Sequence, residues 1–396
     1  MFSIPLELPE FEVIKQIFHK DRYLVHVEKK TIEERCPYCG FVTTSIHDGW
    51  TKMVRDMPVF NKPLYLIVKV NRYYCDNCDE LFTQTFESIG HKKRQTNRYR
   101  EYLYERCIGT TIQDVSKKEK IAYSTLERIF YSVAEEKEIE HKKHLENHLE
   151  NDGLVISLDE VSVKKGHQYE TVLMDTCSGS VIGMEPTRSK NSTKVLLNNE
   201  VLTDKTVHTV VIDMWEPFQK AALTVYPSAC IVVDKYHVVQ KVNQALDEVR
   251  KKIPGLKKSR FKLLKGMEKL KDDEIEQLNC ILEEYPELYD AYFLKETFRD
   301  FYRASNYDIA HDLLEEWIDL ARNSPLPPFH QVAKTLEKWK AQILQYFLTP
   351  YTNNRIEGTN HKIKNIKRRS FGYRNPERFR LRVFLECTGT IYDQIA

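Results

Sequence analysis

Short β-branched runs that close on an aspartate constrain this chain most: LVISLD ending at Asp159, TVHTVVID ending at Asp213, and ACIVVD ending at Asp234. Apolar runs of this length, bounded by turn residues, read as buried strands. An unpaired carboxylate at the end of such a strand, or within it, is costly to bury unless something compensates its charge. With YETVLMD and SVIGMEP between the first two runs, and helices expected at 192–202 and 218–225, the pattern is a mixed sheet covered by helices. In such sheets ligands gather beyond the strand ends.

A third acid, Glu357, lies in TNNRIEGTNHKIKNIKRR, which has the period of a basic amphipathic helix. Ile356, Thr359, Ile363 and Ile366 form its packing stripe, and Asn353, Glu357, Asn360, His361 and Lys364 share the adjacent face. Lys367, Arg368 and Arg369 continue the basic character. Such a helix can deliver a metal ligand together with DNA contacts. The bland alternatives are a solvated charged helix here and turn chemistry by aspartate at the strand ends. Three carboxylates so placed suit a pair of Mg²⁺ ions, which clamp the attacking and leaving oxygens of an in-line phosphoryl displacement.

Asp234 competes for the second acidic place, although an N-cap role before a helix starting near Tyr236 also explains it. His237 either faces the same site or packs in the first turn of that helix. Asp175 and Glu160 read as exposed strand termini. Asp213 and Glu357 are separated by far more chain than a strand and a crossover helix consume, so the interval must hold an insertion. Leu278, Ile281, Leu282, Tyr285 and Leu288 form one helical stripe, and Val332, Leu336, Trp339 and Ile343 another, which predicts an all-helical insertion with core aromatics.

Two Cys-x-x-Cys knuckles, Cys36/Cys39 and Cys75/Cys78, stand near the front. Four thiolates in two close pairs suit a structural, tetrahedral Zn²⁺; the alternative is two pairs of core thiols. The long spacer alternates in polarity, so a β-hairpin can return the second knuckle to the first. The other five of the nine cysteines are scattered, which argues for reduced thiols. Downstream, three short helices are expected at 99–108, 111–117 and 124–133. They read either as a plain bundle or as a helix-turn-helix in which Ser124 caps a recognition helix carrying Thr125 and Arg128. The preceding HKKRQTNRYR supports the second reading as a flexible arm that neutralises phosphates. Net charge is only +2, but the basic residues cluster here, at 250–271 and at 362–382. No apolar run approaches a membrane span, and the start lacks a signal sequence, so a cytoplasmic protein is expected.

Taken in order, CPYCG…YYCDNC, the three short helices, SLDEVSVKKGHQYETVLMD, VVIDMWEPFQKA, IVVDKYHVVQKVNQAL and TNNRIEGTNHKIKNIKRRSFGYRN resemble a bacterial insertion-sequence transposase of the DDE class, in the ISL-three family. The resemblance runs from about Cys36 to Arg382. It implies a ribonuclease H-like catalytic domain in two parts, 151–250 and 346–396, with Asp159, Asp213 and Glu357 as the acidic triad holding Mg²⁺ or Mn²⁺. It also implies a helical insertion at 251–345, a zinc-binding domain at 1–90 and a helix-turn-helix at 91–150 that recognise terminal inverted repeats. The stretch Asp234–His237 likewise matches a family motif. The implied partners are double-stranded DNA at the element ends and in the target, and a second copy of the chain on that DNA; the implied place is the nucleoid. On this resemblance, water attacks a phosphodiester at the element end and the freed 3′-hydroxyl attacks target DNA. Two rival functions share these motifs: another nuclease on the same fold, and a binding-only regulator descended from a transposase.

Overall fold

The computed structural model describes residues 3–164 and 168–388. The chain divides into two compact units, 1–137 and 138–396, with the boundary inside one helix.

In the first unit, β1 (Phe11–Phe18), β2 (Tyr23–Lys29), β5 (Ile46–Val59), β6 (Lys62–Tyr74) and β7 (Leu81–Thr83) form a sheet of order β1-β2-β6-β5, with β7 also on β6. The short strands β3 (Glu34–Arg35) and β4 (Val42–Thr43) pair separately. Alternation along β2 and β6 sends Val25, Val27, Leu64, Leu66 and Val68 into one core. β5 and β6 are joined at Phe60 and Asn61, both at positive φ (49° and 60°), the conformation of a two-residue hairpin turn whose twist matches its strands. This is the hairpin that carries the second cysteine knuckle back to the first.

The three expected helices are α1 (Asn97–Cys107), α2 (Ile112–Glu119) and α3 (Tyr123–His148). Thr96 and Thr111 cap the first two by accepting from the N–H groups of Tyr99 (3.3 Å) and Asp114 (3.0 Å). Leu103, Val115, Leu126, Ile129 and Phe130 are buried between them. Two expectations need correction. α3 begins at Tyr123, so Ser124 lies in its first turn instead of before it, and the helix continues well past residue 133 because no breaker interrupts 134–148. The basic segment before α1 is not a loose arm: Arg55 N–H donates to Arg94 O (2.9 Å) and Thr96 N–H to Arg55 O (3.0 Å), which ties it alongside β5.

The second unit holds the strands predicted to end in acid. β8 (Asp152–Lys164), β9 (Gln168–Asp175) and β10 (Val181–Pro186) run antiparallel in sequence; β11 (Thr206–Ile212) and β12 (Cys230–Val233) follow in parallel to β8, giving the order β10-β9-β8-β11-β12. This is the mixed sheet covered by helices that the strand pattern predicts. α4 (Lys190–Leu197), α5 (Glu216–Val225) and α6 (Lys235–Lys251) bury one face of it against Ile156, Leu158, Val210, Ile212 and Val233. α12 (Asn354–Arg369) and α13 (Pro376–Thr388) cover part of the other, where Ile363, Ile366 and Phe379 meet Val161, Val172 and Val181.

The interval between α6 and α12 is all-helical: α7 (Arg260–Leu264), α8 (Asp272–Glu284), α9 (Pro286–Phe301), α10 (Tyr307–Asn323) and α11 (Pro327–Leu344), with short 3₁₀ turns. The stripe read across 278–288 is split between α8 and α9, because Pro286 opens a new helix and cannot continue the old one. The aromatics are core: Phe298 and Trp317 meet edge to face at 4.8 Å, and both belong to the same apolar cluster as the sheet. Asp175 is likewise not an exposed strand end. It is buried and accepts from the N–H groups of Cys177 (3.2 Å) and Ser178 (2.8 Å) in the turn to β10.

The turn between α2 and α3 lacks glycine, and Lys120 instead occupies the left-handed region at φ 52°, while Ile121 N–H closes the turn on Ser116 O (3.1 Å). A side chain there is strained where glycine is not. Lys120→Gly is therefore expected to raise stability by up to about 1 kcal/mol, offset in part by glycine's greater unfolded-state freedom. Chemical denaturation measures this, and an unchanged or lower midpoint would contradict the strain.

Candidate active site and zinc centre

Register explains why the strand-end acids meet. In the parallel pair β8–β11, Val211 lies opposite Ser157, so two residues on, Asp213 comes level with Asp159. In β11–β12, Ile212 lies opposite Val233, which brings Asp234 level with Asp213. Side chains alternate along strands, and Asp159 shares its face of β8 with Val155 and Val161, the face that α12 partly covers. Three carboxylates thus stand in a row across adjacent parallel strands.

Two of them hold the start of α12. Asn360 Nδ2 donates to Asp159 Oδ2 at 2.7 Å, and the Asn353 backbone N–H donates to Asp234 Oδ1 at 3.0 Å. Asp234 occupies the N-cap position of α6, but its side chain makes no capping hydrogen bond there; the carboxylate is spent on the opposite helix instead. His237, on the first turn of α6, faces the row: its Nε2 is 2.8 Å from Asp213 Oδ1 and 4.0 Å from Asp234 Oδ2. The first is a close charge contact without hydrogen-bond alignment, since Asp213 Oδ1 has no partner; Asn360 Oδ1 and both side-chain polar atoms of Asn353 are buried and unpartnered as well.

Electrostatics follow from this crowding. Burial, then the neighbouring Asp213 charge, push the Asp159 carboxyl up to about 7, against partial relief from the Glu160 N–H, His237 and Asn360. Burial also raises Asp234. For His237, burial favours the neutral ring, but Asp213, Asp159 and Asp234 outweigh it and raise the imidazole to about 8. Excess negative charge, short of compensating cations, is what the site contains.

Among the described residues, ligand atoms of Asp159, Asp213 and His237 lie within 4.8 Å of one another. Glu357 is exposed on the first turn of α12, one turn before Asn360. On the same helix Ile356, Ile363 and Ile366 are buried, His361 and Arg368 are exposed, and Lys364 and Lys367 are half-buried. Arg369 is engaged by Glu386 of α13. Beside the acids lies a recess of about 290 Å³ bounded by Glu160, Arg188, Trp215, His237 and Lys241. There Arg188 is clamped: Glu160 accepts from it at 3.0 and 3.1 Å, the Trp215 ring lies 4.3 Å from its guanidinium, and Trp215 Nε1 donates to its carbonyl at 3.0 Å. No local pattern signals this clamp, because its members are scattered over a strand and two loops far apart in the chain.

In the first unit, Cys36, Cys39, Cys75 and Cys78 converge within 4.8 Å. The two knuckles repeat one backbone design. Gly40 N–H returns to Cys36 O (3.0 Å) and Asp79 N–H to Cys75 O (2.9 Å), with Gly40 and Asp79 both at positive φ. Sulfurs Cys36–Cys78 and Cys39–Cys75 are 3.6 and 3.5 Å apart, close to the ~3.8 Å edge of a tetrahedron with Zn–S bonds of ~2.3 Å. The Asn77 side chain and the Phe41 backbone hold the Cys39 thiol down toward thiolate, whereas burial and the other sulfurs push Cys78 up. A divalent cation at the centre removes that competition. Thr125 and Arg128 of α3 border a basic cleft of about 560 Å³ together with Lys92, Arg94 and Arg100.

A family model described as a transposase matches residues 156–383, which is more than half of the chain. The chain belongs to the ISL3 transposase family. Two further models of these transposases match at the front: their zinc finger over residues 33–78 and their helix-turn-helix domain over residues 84–134. The transposase of insertion sequence element IS1001 from Bordetella parapertussis is 25% identical over 369 residues, covering 88% of this chain and 87% of that protein. The transposase of IS1557 from Mycobacterium tuberculosis is 26% identical over 256 residues, covering 56% of this chain and 57% of that one. A solved strand transfer complex of the Drosophila P element transposase aligns over 78% of this chain and 93% of that one at 14% identity, with a TM-score of 0.36, too remote to build on. In this transposase the four-cysteine cluster is accordingly a structural zinc site. No helix among the described residues is long and apolar enough to cross a membrane.

Two outcomes are expected. Cys75→Ser should abolish stoichiometric zinc binding and unfold the front of the chain, read as zinc content and as rapid proteolysis within residues 1–90; retained zinc would show that the cluster is not the site. In buffer free of magnesium and manganese, the unfolding temperature should fall as pH rises from 6 to 8. The sign follows from both groups: Asp159 near 7 in the folded state, against ~3.9 unfolded, loses its bound proton at a cost over this range, and His237 near 8, against ~6.5 unfolded, loses its charge stabilisation. Asp159→Asn should flatten the slope; an equal slope in that variant would assign it elsewhere.

Proposed function

We propose that this transposase binds the terminal inverted repeats of its own element and carries out metal-dependent strand cleavage and strand transfer, with Asp159, Asp213 and Glu357 as its catalytic carboxylates. The observation that carries this reading is the row of two buried acids, Asp159 and Asp234, flanking the half-buried Asp213 with its unpartnered oxygen, set by strand register and closed by α12. Such a site fits a cation, because among the described residues His237 is the one positive group against three crowded carboxylates and Asp213 Oδ1 accepts no aligned hydrogen bond. Mg²⁺ or Mn²⁺, held by Asp159, Asp213 and Glu357, would supply electrostatic stabilisation of an in-line displacement at phosphorus.

The chain's own residues do the rest. Asn360 orients the Asp159 carboxylate, leaving its other oxygen to the Glu160 N–H at 2.7 Å. Asp234, through the Asn353 N–H, fixes the start of α12 and so the turn that presents Glu357; it is a positioning residue. His237 stands where it can hold or give up a proton beside Asp213. His361, Lys364, Lys367 and Arg368 follow Glu357 on the same helix and lie where a DNA backbone entering the site would pass. Thr125 and Arg128 bind the element end, and a second copy of the chain holds the other end. Because water and then a 3′-hydroxyl are the nucleophiles, no covalent enzyme intermediate is involved.

The test is cleavage of labelled DNA carrying the sequences that flank the gene. Wild type with Mg²⁺ or Mn²⁺ should nick at a repeat boundary; Asp159→Asn and Glu357→Gln should each lose about a hundredfold or more in rate while binding the ends as tightly as wild type. Loss of end binding in these variants would mean that the acids are structural. Binding without cleavage by wild type would leave a regulator descended from a transposase.

A further inference from the structure

The first unit contains cationic surface that neither the zinc cluster nor the recognition helix explains. The segment His91–Gln95 does not hang free; it is laid against β5 through the Arg55–Arg94 and Thr96–Arg55 backbone hydrogen bonds and the Arg55–Gln95 bridge. Fixed there, it separates two clefts that share Arg94 and Gln95. One is the basic cleft that α3 borders with Thr125 and Arg128. The other, of about 420 Å³, runs beside the edge strand β5 and is bounded by Trp50, Lys52, Met53 and Tyr65.

The second cleft has the chemistry of a polyanion track. Its mouth carries large apolar side chains in water: Trp50 is 46% and Met53 57% exposed. No acidic residue borders either cleft. Among the described residues, none of Lys52, Lys92, Lys93, Arg94 and Arg128 has a carboxylate partner, whereas Lys69 of the adjoining strand is paired with Glu28 at 3.2 Å. Burial and the nearby Arg94 charge both weaken the hold of Lys52 on its proton, as happens when two cations are set side by side with no anion between them. A row of fixed, unpaired cations beside flat apolar side chains matches phosphates spaced along sugars. β5 is also an open edge, which a strand from another protein could extend, but the uncompensated Lys52 on it and Arg94 beside it oppose strand addition and favour a polyanion.

We propose that the duplex read by α3 continues past Arg94 onto the β5 edge, where Lys52 and Arg94 neutralise its phosphates and Trp50 packs on its sugars. The transposase then grips its element end over a longer stretch than a helix-turn-helix alone covers, with Trp50, Lys52 and Arg94 as the side chains that reach it. This rests on the end-binding reading above.

The test uses the full-length chain and duplexes carrying the gene's flanking ends, with dissociation constants measured by fluorescence anisotropy over a series of salt concentrations. Each lost phosphate contact lowers the slope of log K against log salt by about 0.9. Lys52→Ala and Arg94→Ala should each flatten the slope by about one and weaken binding several-fold, and Trp50→Ala should weaken binding with the slope unchanged. Lys69→Ala should match wild type. Hydroxyl-radical footprints should shorten on one side in Lys52→Ala and Trp50→Ala. Zinc content equal to wild type certifies that each variant is folded. If Arg128→Ala flattens the slope while Lys52→Ala, Arg94→Ala and Trp50→Ala leave slope and footprint as in wild type, the β5 track is wrong and the end-binding reading stands. If wild type binds these ends no better than scrambled duplex, the end-binding reading fails and this proposal with it.

Discussion

Parallel register between β8, β11 and β12 is the constraint on which the catalytic unit depends. It sets Asp159, Asp213 and Asp234 side by side across three adjacent strands, on the face opposite the apolar cluster of Ile156, Leu158, Val210, Ile212 and Val233. Like charges at that spacing inside protein repel, and the structure meets the repulsion in three ways: hydrogen bonds from α12, the imidazolium of His237, and protons held above their usual affinity. None of these is complete, since Asp213 keeps an unpartnered oxygen. A single-residue slip of β11 would turn Asp213 to the other face, where Ile212 now packs. The apolar packing that fixes register is therefore also what assembles the site.

The position of α12 follows from the same row. Its isoleucine stripe secures it to the sheet, but Asn353 and Asn360 decide where along the sheet it sits, by bonding the outer two acids. The long helical insertion does not stand apart as a second core. Its aromatics merge with α6 and the sheet in one cluster, so α6, which carries His237 toward the acids, is braced from behind by α9 and α11. Rigidity of that brace suits a site whose groups must be placed to within a fraction of an ångström. The front unit shows a parallel economy: one hairpin, turned at Phe60 and Asn61, both closes the four-cysteine cluster and supplies the edge on which the basic segment before α1 is laid.

Much was readable from residues alone because the signals were local. β-branched runs gave the strands, isoleucines at helical spacing gave the buried stripe of α12, and paired knuckles gave the thiol cluster. What failed to show was non-local. Arg188 finds Glu160 and Trp215 from separate loops and a strand, Asp175 is buried by a turn that bonds it, and the arm before α1 is pinned by β5, forty residues earlier in the chain. The length of α3 was missed for a different reason: beyond residue 133 its sequence is polar on most sides, so periodicity fades although nothing in it breaks a helix.

The sequence by itself determined the kinds of element, the identity of the acids and thiols, and, through the order of its motifs, membership of a transposase family. These rest on side-chain chemistry and on periods of two and of 3.6 residues, which a linear string contains. Only the tertiary structure decided which acids are neighbours, that Asn353 and Asn360 hold the last helix to them, and that His237 compensates Asp213. Those facts depend on register between strands distant in the chain and on packing that no local pattern records, because a contact across the core is fixed by everything between its two ends.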